Sequence, residues 1–312
     1  MSSKLDILVL GSAAGGGSPQ WNCRCAVCAR VRAGGAGTAV RTQCSLAVSA
    51  DGGKRWVLLG ASPDLGHQLA GHAAFLPRVG RRHSPISAVV LANSEVDHIA
   101  GLLSMREGHG FGLYATAATH AVLERSAIFK VLDTALVSRR VVDLEVSTPL
   151  IGIDGASIGM SIEAFSVPGK VALHEEQAGQ TPSLGELGEQ VVGLKVSAGE
   201  KYFFFIPGCA AFTPELGERL GAAPLVFFDG TLWDDEELVR QELSSKSGRR
   251  MGHMCIDGAN GSLAYFSGVE IGRKVFIHLN NSNPVLLADS PERNRVEAAG
   301  WEVAYDSMVL HL

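Results

Sequence analysis

The chain reads Asn93-Ser94-Glu95-Val96-Asp97-His98-Ile99-Ala100-Gly101-Leu102 directly after the apolar run Val89–Leu91. This pattern predicts a strand that ends where a helix begins. In open α/β sheets, ligands bind at the carboxyl ends of the strands, so Asp97 and His98 would reach a binding site. A carboxylate that starts a helix is also an ordinary N-cap, and that alternative stays open for Asp97 on this stretch alone.

A second apolar run ends in the same way much later in the chain. The strand-like residues 275–277 are followed by His278 and then by further polar side chains. A single histidine at a strand end is more often structural than a metal ligand. Two strands that both end in metal-binding side chains favour a shared site, whose candidate ligands are Asp97, His98 and His278.

Three cysteines lie within six residues, as Cys23-Arg24-Cys25-Ala26-Val27-Cys28. This spacing allows three thiolates to bind one tetrahedral Zn²⁺ at about 2.3 Å each. A disulfide framework is the weaker alternative, because six cysteines in 312 residues are sparse and the first residues do not resemble a signal peptide. The segment 23–28, called the cysteine knuckle below, therefore predicts a structural zinc whose fourth ligand comes from elsewhere.

Composition excludes several classes of protein. The net charge is −5, from 27 basic and 32 acidic residues, whereas a nucleic-acid binder usually carries a broad basic stripe. The two short basic clusters, 81–83 and 246–250, are interpreted as solvated surface. No apolar run reaches the length of about eighteen residues that a membrane span needs. We therefore predict a soluble protein of the reducing cytoplasm.

Strand-like and helix-like segments follow one another along the chain. The strand-like segments are 5–10, 45–49, 56–59, 88–91, 113–115, 161–167, 191–196, 202–206, 225–228 and 274–278, and the helix-like ones are 64–71, 98–106, 117–135, 214–221, 235–243 and 291–299. This order predicts an α/β protein in which helices cover both faces of stacked sheets. The polar segment 174–190 is either a lid or a tolerated surface insertion.

The order of these features resembles the metallo-β-lactamase superfamily. Its marks here are the first strand, a glycine-rich loop, the Asp-His-x-x-Gly-Leu helix start and the late strand-end histidine. More specific motifs resemble the PqqB family of pyrroloquinoline quinone biosynthesis, and they are Gly11–Gly17, Pro19–Cys23, Arg41–Gln43, Asp229–Trp233, Met251–His253 and His278–Pro284. The resemblance implies a four-layer αββα sandwich that forms one domain over residues 1–312.

The hydrolases of this superfamily bind two metals, and this chain lacks most ligands of the first one. Those hydrolases read His-x-His-x-Asp-His at the helix start, and the first two histidine positions hold Asn93 and Glu95 here. The places of the third histidine and of the bridging aspartate hold Pro168-Gly169 and Pro207-Gly208. The second-metal ligands remain. Loss of the first metal argues against hydrolysis by two ions about 3.5–4 Å apart.

Resemblance to the PqqB family implies an Fe(II)- and O₂-dependent hydroxylase. Its substrate would be a cross-linked glutamate–tyrosine diamino acid that is excised from a precursor peptide and hydroxylated on the tyrosine ring. Asp97, His98 and His278 would hold the iron, although the same donors also suit zinc. His253 and Asp229 would be acid/base groups near the metal. Asp229 ahead of a glycine is alternatively a turn residue.

The substrate of this implied reaction carries carboxylates and amines. Arg41 would bind a carboxylate through two parallel hydrogen bonds, or alternatively it is a surface arginine that covers apolar neighbours. Asn93, Glu95 and Asn280 are further candidates for substrate binding. Other enzymes of pyrroloquinoline quinone biosynthesis are candidate partners, whereas neither nucleic acid nor a membrane is expected.

The fourth zinc ligand and two further functions stay open. In phosphodiesterase relatives a histidine completes the zinc at the place that Asn281 takes here, and His311 or a water molecule is a substitute. One alternative function is a non-catalytic carrier of the finished quinone. The other is a zinc hydrolase of a phosphodiester or ester, which would need the missing first metal.

Overall fold

The computed structural model describes residues 4–176 and 184–312. Within these ranges the strands are β1 (Asp6–Gly11), β2 (Ser45–Ser49), β3 (Trp56–Leu59), β4 (Ile86–Val90), β5 (Phe111–Ala115), β6 (Val137–Val141), β7 (Ser147–Ile151), β8 (Ser157–Ser166), β9 (Val192–Ala198), β10 (Lys201–Ile206), β11 (Leu225–Asp229), β12 (Arg273–Ile277), β13 (Trp301–Val303) and β14 (Val309–His311). The α-helices are α1 (Ala26–Arg32), α2 (Leu65–Ala70), α3 (Val96–Ile99), α4 (Ala117–Arg125), α5 (Pro214–Leu220), α6 (Glu237–Arg240), α7 (Ser262–Tyr265) and α8 (Pro291–Ala298).

The strands form two mixed sheets of seven strands each. The first has the order β14-β1-β2-β3-β4-β5-β6, and the second has the order β13-β12-β11-β10-β9-β8-β7. Neighbours from β3 to β6 run parallel, as do those from β10 to β13. None of the helices in the described ranges is long and apolar enough to cross a bilayer.

Three apolar cores hold the layers together. Side chains alternate between the two faces of a strand, so Ile7 and Val9 enter the core between the sheets while Leu8 and Leu10 enter an outer core. Leu65 of α2 and Leu123 of α4 cover the outer face of the first sheet. Helices α1, α5 and α8 cover the second sheet in the same way. The predicted αββα sandwich is confirmed.

The glycine of the Asp-His-x-x-Gly motif has a packing role in this fold. The Gly101 main-chain N–H donates to the Ala61 carbonyl at 2.8 Å. A Cβ atom at residue 101 would lie 2.1 Å from the Ser62 carbonyl oxygen, which is inside contact distance. Only glycine therefore lets the start of α3 and the 3₁₀ turn Ala100–Met105 pack against the loop that follows β3.

The predicted segments match most elements, with one clear error among the helices. The single helix expected over 117–135 is wrong, because α4 ends at Arg125 and Ser126 takes an extended conformation before a 3₁₀ turn at Ala127–Val131. Strands β6, β7, β13 and β14 and helices α1 and α7 were not predicted. The possible lid over 174–190 falls partly on residues 177–183, which lie outside the described ranges.

The sheets bring several strand ends to one edge. The loops after β1 and β12 are hydrogen-bonded to each other, since Ala14 donates to the Leu279 carbonyl at 2.8 Å and Leu279 donates to the Ser12 carbonyl at 3.0 Å. The ends of β4, β10 and β11 are followed by residues that line the same cavity. The topology thereby gathers residues that are far apart in the chain.

Candidate metal centre and its cavity

The predicted metal ligands meet at this edge. Their donor atoms, which belong to Asp97, His98 and His278, all lie within 4.8 Å of one another. His278 Nε2 lies 2.8 Å from Asp97 Oδ2, and the rings of His98 and His278 stack with centroids 5.4 Å apart. Burial lowers the pKa of His98 to about 4, so its imidazole is neutral at physiological pH, as a metal ligand requires.

Asp97 is a carboxylate and not a helix cap. Burial by itself raises the pKa of Asp97, but the positive charges that the neighbouring imidazoles, first of all His98, carry at acidic pH outweigh it and hold that pKa well below its usual value. The N-cap of α3 is Glu95, and Asp97 already lies inside the first turn. The alternative of an N-cap role for Asp97 is therefore wrong.

Thr231, which the sequence interpretation did not single out, orients His278. Its hydroxyl lies 2.6 Å from Asp229 Oδ1 and 2.9 Å from His278 Nδ1. The carboxylate can only accept, so the hydroxyl proton goes to Asp229 and the hydroxyl oxygen accepts from His278 Nδ1–H. The remaining nitrogen of His278, Nε2, faces Asp97 and is the one left to bind a metal.

Asp229 is more than a turn residue. It is the fully buried last residue of β11, and its two oxygens also accept the main-chain N–H groups of Cys209 at 2.9 Å and Thr231 at 3.0 Å. His253 Nδ1 lies 2.7 Å from Asp229 Oδ2. Burial lowers the pKa of His253, but the Asp229 charge outweighs it, so the net direction is upward.

Asp229, His253 and His278 also bring donor atoms within 4.8 Å of one another. Both oxygens of Asp229 are already occupied by the hydrogen bonds just described. We therefore interpret Asp229 as a residue that orients the two histidines rather than as a ligand. His253 lines the cavity and stacks on His278 with ring centroids 5.3 Å apart.

A cavity of about 660 Å³ opens above the three candidate ligands. Asn93, Glu95 and Asn280, which were predicted to bind substrate, all line it. Asn93 Oδ1 accepts the Glu95 N–H at 2.9 Å, which fixes the turn into α3. The cavity has the size of ordinary small-molecule sites, which range over about 300–1,000 Å³.

The prediction that Arg41 binds a substrate carboxylate is wrong, because this side chain does not reach the cavity. Only 7% of the residue is exposed. Its guanidinium donates to Ser12 Oγ at 3.1 Å and to the Ala304 carbonyl, on the far side of the loop that follows β1. Burial lowers the pKa of Arg41 to about 10, so the group remains a buried cation with a structural role.

The cations that do line the cavity come from elsewhere. The interpretation of 246–250 as solvated surface is wrong for Lys246 and Arg250, since both line the cavity together with Lys170. Lys170 Nζ lies 3.1 Å from Glu95 Oε1 and 3.2 Å from Glu176 Oε1. We call the set Glu95, Lys170, Glu176, Lys246 and Arg250 the charged wall.

The places of the first hydrolase metal hold one carboxylate, Glu95, and no histidine. Pro168-Gly169 follow the end of β8, and Pro207-Gly208 follow the end of β10. Glu95, the one carboxylate at these positions, is held by Lys170 and accepts the Leu173 N–H at 3.2 Å. The structure therefore lacks the ligand set of the first hydrolase metal at these positions, as the sequence indicated.

The cysteine knuckle forms a second group of donors. The sulfur atoms of Cys23, Cys25 and Cys28 lie within 4.8 Å of one another. The N–H of Cys25 donates to Cys23 Sγ, and the N–H of Cys28 donates to Cys25 Sγ, both at 3.4 Å. Burial and the neighbouring thiols raise the pKa of Cys25 to about 12, so the three sulfurs need a cation before they can be ionised together.

Asn281 approaches the sulfurs of the knuckle. Its side-chain amide nitrogen lies 3.2 Å from Cys28 Sγ and 3.8 Å from Cys25 Sγ, and its main-chain carbonyl oxygen lies 3.6 Å from Cys25 Sγ. The prediction of His311 as a substitute ligand is wrong, because His311 is on β14 and bonds Asp6 at 2.7 Å. Residues 278–283 thus contact both groups of donors.

Comparison with known proteins agrees with this geometry. A model described as the beta-lactamase superfamily domain matches residues 55–279. Coenzyme PQQ synthesis protein B of Methylorubrum extorquens is 46% identical over 99% of this chain and 100% of its own length, and that of Xanthomonas campestris pv. campestris is 48% identical over 98% and 99%. The chain belongs to the PqqB family.

A solved member of the PqqB family has the same fold. The crystal structure of Zn²⁺-bound PqqB from Methylobacterium extorquens superposes with a TM-score of 0.93 at 46% identity, and the match covers 98% of this chain and 100% of that one. The resemblance inferred from the sequence motifs is thereby confirmed.

Proposed function

We propose that the protein is an Fe(II)- and O₂-dependent hydroxylase of pyrroloquinoline quinone biosynthesis. Its substrate would be the cross-linked glutamate–tyrosine diamino acid, which it would hydroxylate on the tyrosine ring in the cytoplasm, beside the other enzymes of that pathway. Relatives named for coenzyme PQQ synthesis, 46–48% identical over nearly the whole chain, support the pathway. The observation that carries the chemistry is the convergence of two imidazoles and one carboxylate on one cavity.

The donor set fits a mononuclear iron site. Two histidines and a carboxylate hold Fe(II) on one side and leave positions open. Zinc suits the same donors and binds more tightly in the usual order of affinities, so the donor set alone does not choose between zinc and iron. When bound, Fe(II) supplies activation of O₂ at its open positions.

The protein residues would hold the metal and move protons. Asp97, His98 and His278 are the ligands in this proposal, and Thr231 keeps the proton of His278 on Nδ1. His253 has Nδ1 on Asp229, so its Nε2 is free to exchange a proton with the phenol of the substrate. The buried Asp229 carboxylate stabilises the imidazolium that forms when His253 takes that proton.

We also propose that the cysteine knuckle holds a structural zinc. Three thiolates are soft donors that select zinc, and the fourth ligand would be an oxygen of Asn281. The side-chain oxygen and nitrogen of an asparagine exchange places by a simple flip, so the nitrogen now near Cys28 can give way to the amide oxygen.

Anaerobic loading with Fe(II) tests the proposal. We expect one iron and one zinc per chain, and O₂ uptake only after addition of a synthetic diamino acid in which glutamate is bonded to the tyrosine ring. With ascorbate present as the two-electron reductant, the product should be heavier by one oxygen atom, and the second oxygen atom of O₂ should leave as water. His253→Gln should keep its iron and lose most of the rate, because the amide cannot take a proton.

The two alternative functions give different outcomes in the same experiment. Binding of pyrroloquinoline quinone without any O₂ uptake would identify a carrier. Two metals about 3.5–4 Å apart, together with hydrolysis of a phosphodiester, would identify a hydrolase. Either result would overturn the hydroxylase.

A further inference from the structure

The charged wall is built into the fold. The Lys170 side chain is only 8% exposed, although a surface lysine normally extends into water. Its stem passes over Gly252, where a Cβ atom would lie 2.9 Å from Lys170 Cγ. Gly252 also has a φ of 86°, which favours glycine. Both the backbone conformation and the space that the lysine stem occupies therefore call for glycine at this position.

Arg250 and Glu176 extend the wall around the cavity. Arg250 forms a two-pronged pair with Glu176, with Nη2–Oε2 at 3.1 Å and Nη1–Oε1 at 3.4 Å. Arg250 first, and Lys170 with it, lower the pKa of Glu176 to about 2, so Glu176 stays ionised at physiological pH. Within the described ranges, Lys246 makes no ion pair.

The charges of the wall indicate what it binds. The three cations and two carboxylates of the wall sum to one net positive charge. The Asp97 carboxylate in the same cavity offsets that charge. A phosphate dianion would meet repulsion from the two glutamates. An amino-acid headgroup, with a carboxylate and an ammonium side by side, is complementary to adjacent charges of both signs.

We infer that the charged wall binds an α-amino-acid headgroup of the substrate, with its carboxylate on Arg250 and Lys246 and its ammonium on Glu95. This inference rests on the proposed function, because it specifies which part of the proposed substrate the charged wall binds. Glu176 takes two of the five N–H donors of Arg250, so three remain for a ligand carboxylate, among them the parallel pair on Nε and Nη2. Lys246 has its ammonium available. Glu95 is 30% exposed and so can accept from a ligand, whereas Glu176 remains with Arg250 and Lys170.

Binding of small phenols to the iron-free, zinc-containing protein tests the inference. The probes are L-tyrosine, tyramine, which lacks the carboxylate, and 4-hydroxyphenylpropionate, which lacks the ammonium. We expect L-tyrosine to bind at least about tenfold more tightly than either analogue in NMR titrations, because charge-assisted hydrogen bonds are lost in both. Inorganic phosphate should compete weakly.

Substitutions should separate the two ends of the headgroup. Arg250→Gln and Lys246→Met should each reduce the preference for L-tyrosine over tyramine, and Glu95→Gln should reduce only the preference over 4-hydroxyphenylpropionate. Arg273→Gln is the matched control, because Arg273 forms a two-pronged pair with Glu302 that does not line the cavity. Lys246→Met leaves no carboxylate unpaired, so it tests the inference even if Arg250→Gln unfolds.

Several results would overturn the inference. They are equal affinity for L-tyrosine and tyramine, no detectable binding by the wild type, or phosphate competition as strong as that of L-tyrosine. The titrations need neither iron nor O₂. An inactive enzyme that keeps the tyrosine preference would therefore refute the hydroxylase alone, and an active enzyme without the preference would refute the headgroup site alone.

Discussion

The cysteine knuckle and the metal centre at the strand ends differ in how the chain assembles them. The knuckle takes its three sulfurs from residues 23–28, so one short stretch fixes their spacing. The metal centre takes Asp97 and His98 from α3 and His278 from the end of β12, so both sheets must be in place first. One site is a local property of the sequence, and the other is a property of the topology.

The two sites also differ in what determines their metal. Thiolates are soft ligands that suit a structural zinc, whereas imidazole and carboxylate accept either zinc or iron. The donors of the knuckle therefore favour zinc. The chemistry of the metal centre leaves its ion to be set by metal supply, which is why metal content must be measured there.

The largest effect is expected from breaking the knuckle. Cys25→Ser should remove about one zinc per chain and lower the stability by several kcal/mol, because binding of a structural zinc contributes directly to folding. Metal analysis and thermal unfolding measure both quantities. Cys255→Ser is the control, since Cys255 bonds the Asp257 carbonyl outside the knuckle. Unchanged zinc in Cys25→Ser would refute the assignment.

A smaller and more selective effect is expected at the metal centre. Asp97→Asn should weaken iron binding by more than about 100-fold, because loss of a direct ligand costs at least as much as loss of the group that supports one. The knuckle zinc should remain. Glu95→Gln is the control for metal content only, because this carboxylate is two residues from Asp97 in the chain but is held by Lys170. Equal loss of iron in both variants would contradict the ligand assignment.

The smallest effect is expected at Glu237, which supports the segment that both sites share. Its carboxylate accepts from Ser282 Oγ and from the Trp233 N–H. Burial raises the pKa of Glu237 from 4.5 to about 7. A raised carboxyl pKa contributes stability that is fully present below pH 4.5 and is lost as the pH rises through 7.

Glu237→Gln should remove this pH dependence. Between pH 4.5 and 7.5 the wild type should lose up to about 3 kcal/mol relative to the glutamine variant, which corresponds to the pKa difference. Urea unfolding of the zinc-loaded proteins across this range measures the loss. Parallel stability curves for the two proteins would show that Glu237 is already ionised in the fold.

Much of the fold was accessible from local sequence patterns. Buried strands such as β2 and β3 are short apolar runs, and their predicted bounds coincide with the structure. Strand β6 was missed because its central residues, Ser138 to Arg140, are polar and only half-buried, and β13 and β14 have three residues each. These segments form strands because they pair with the surrounding sheets, and not because of their own sequences.

The candidate site was predictable only where a motif carried it. The three proposed ligands of the metal centre, Asp97, His98 and His278, stand in recognisable contexts near strand ends. Thr231 acts through contacts with residues 22 and 47 positions away, which no local pattern encodes. Arg41 was misplaced because an arginine near a strand gives no sign of which way it points, and here it points into the protein.

The segment 278–283 has a consequence for how the protein acquires its metals. It places His278 at one site and Asn281 at the other, only three residues apart. A zinc ion that draws Asn281 towards the sulfurs would also fix the backbone on which His278 stands, at a φ of 61° that few histidines adopt. We therefore expect an order of loading, in which zinc binds during folding and iron enters a site that zinc has already shaped.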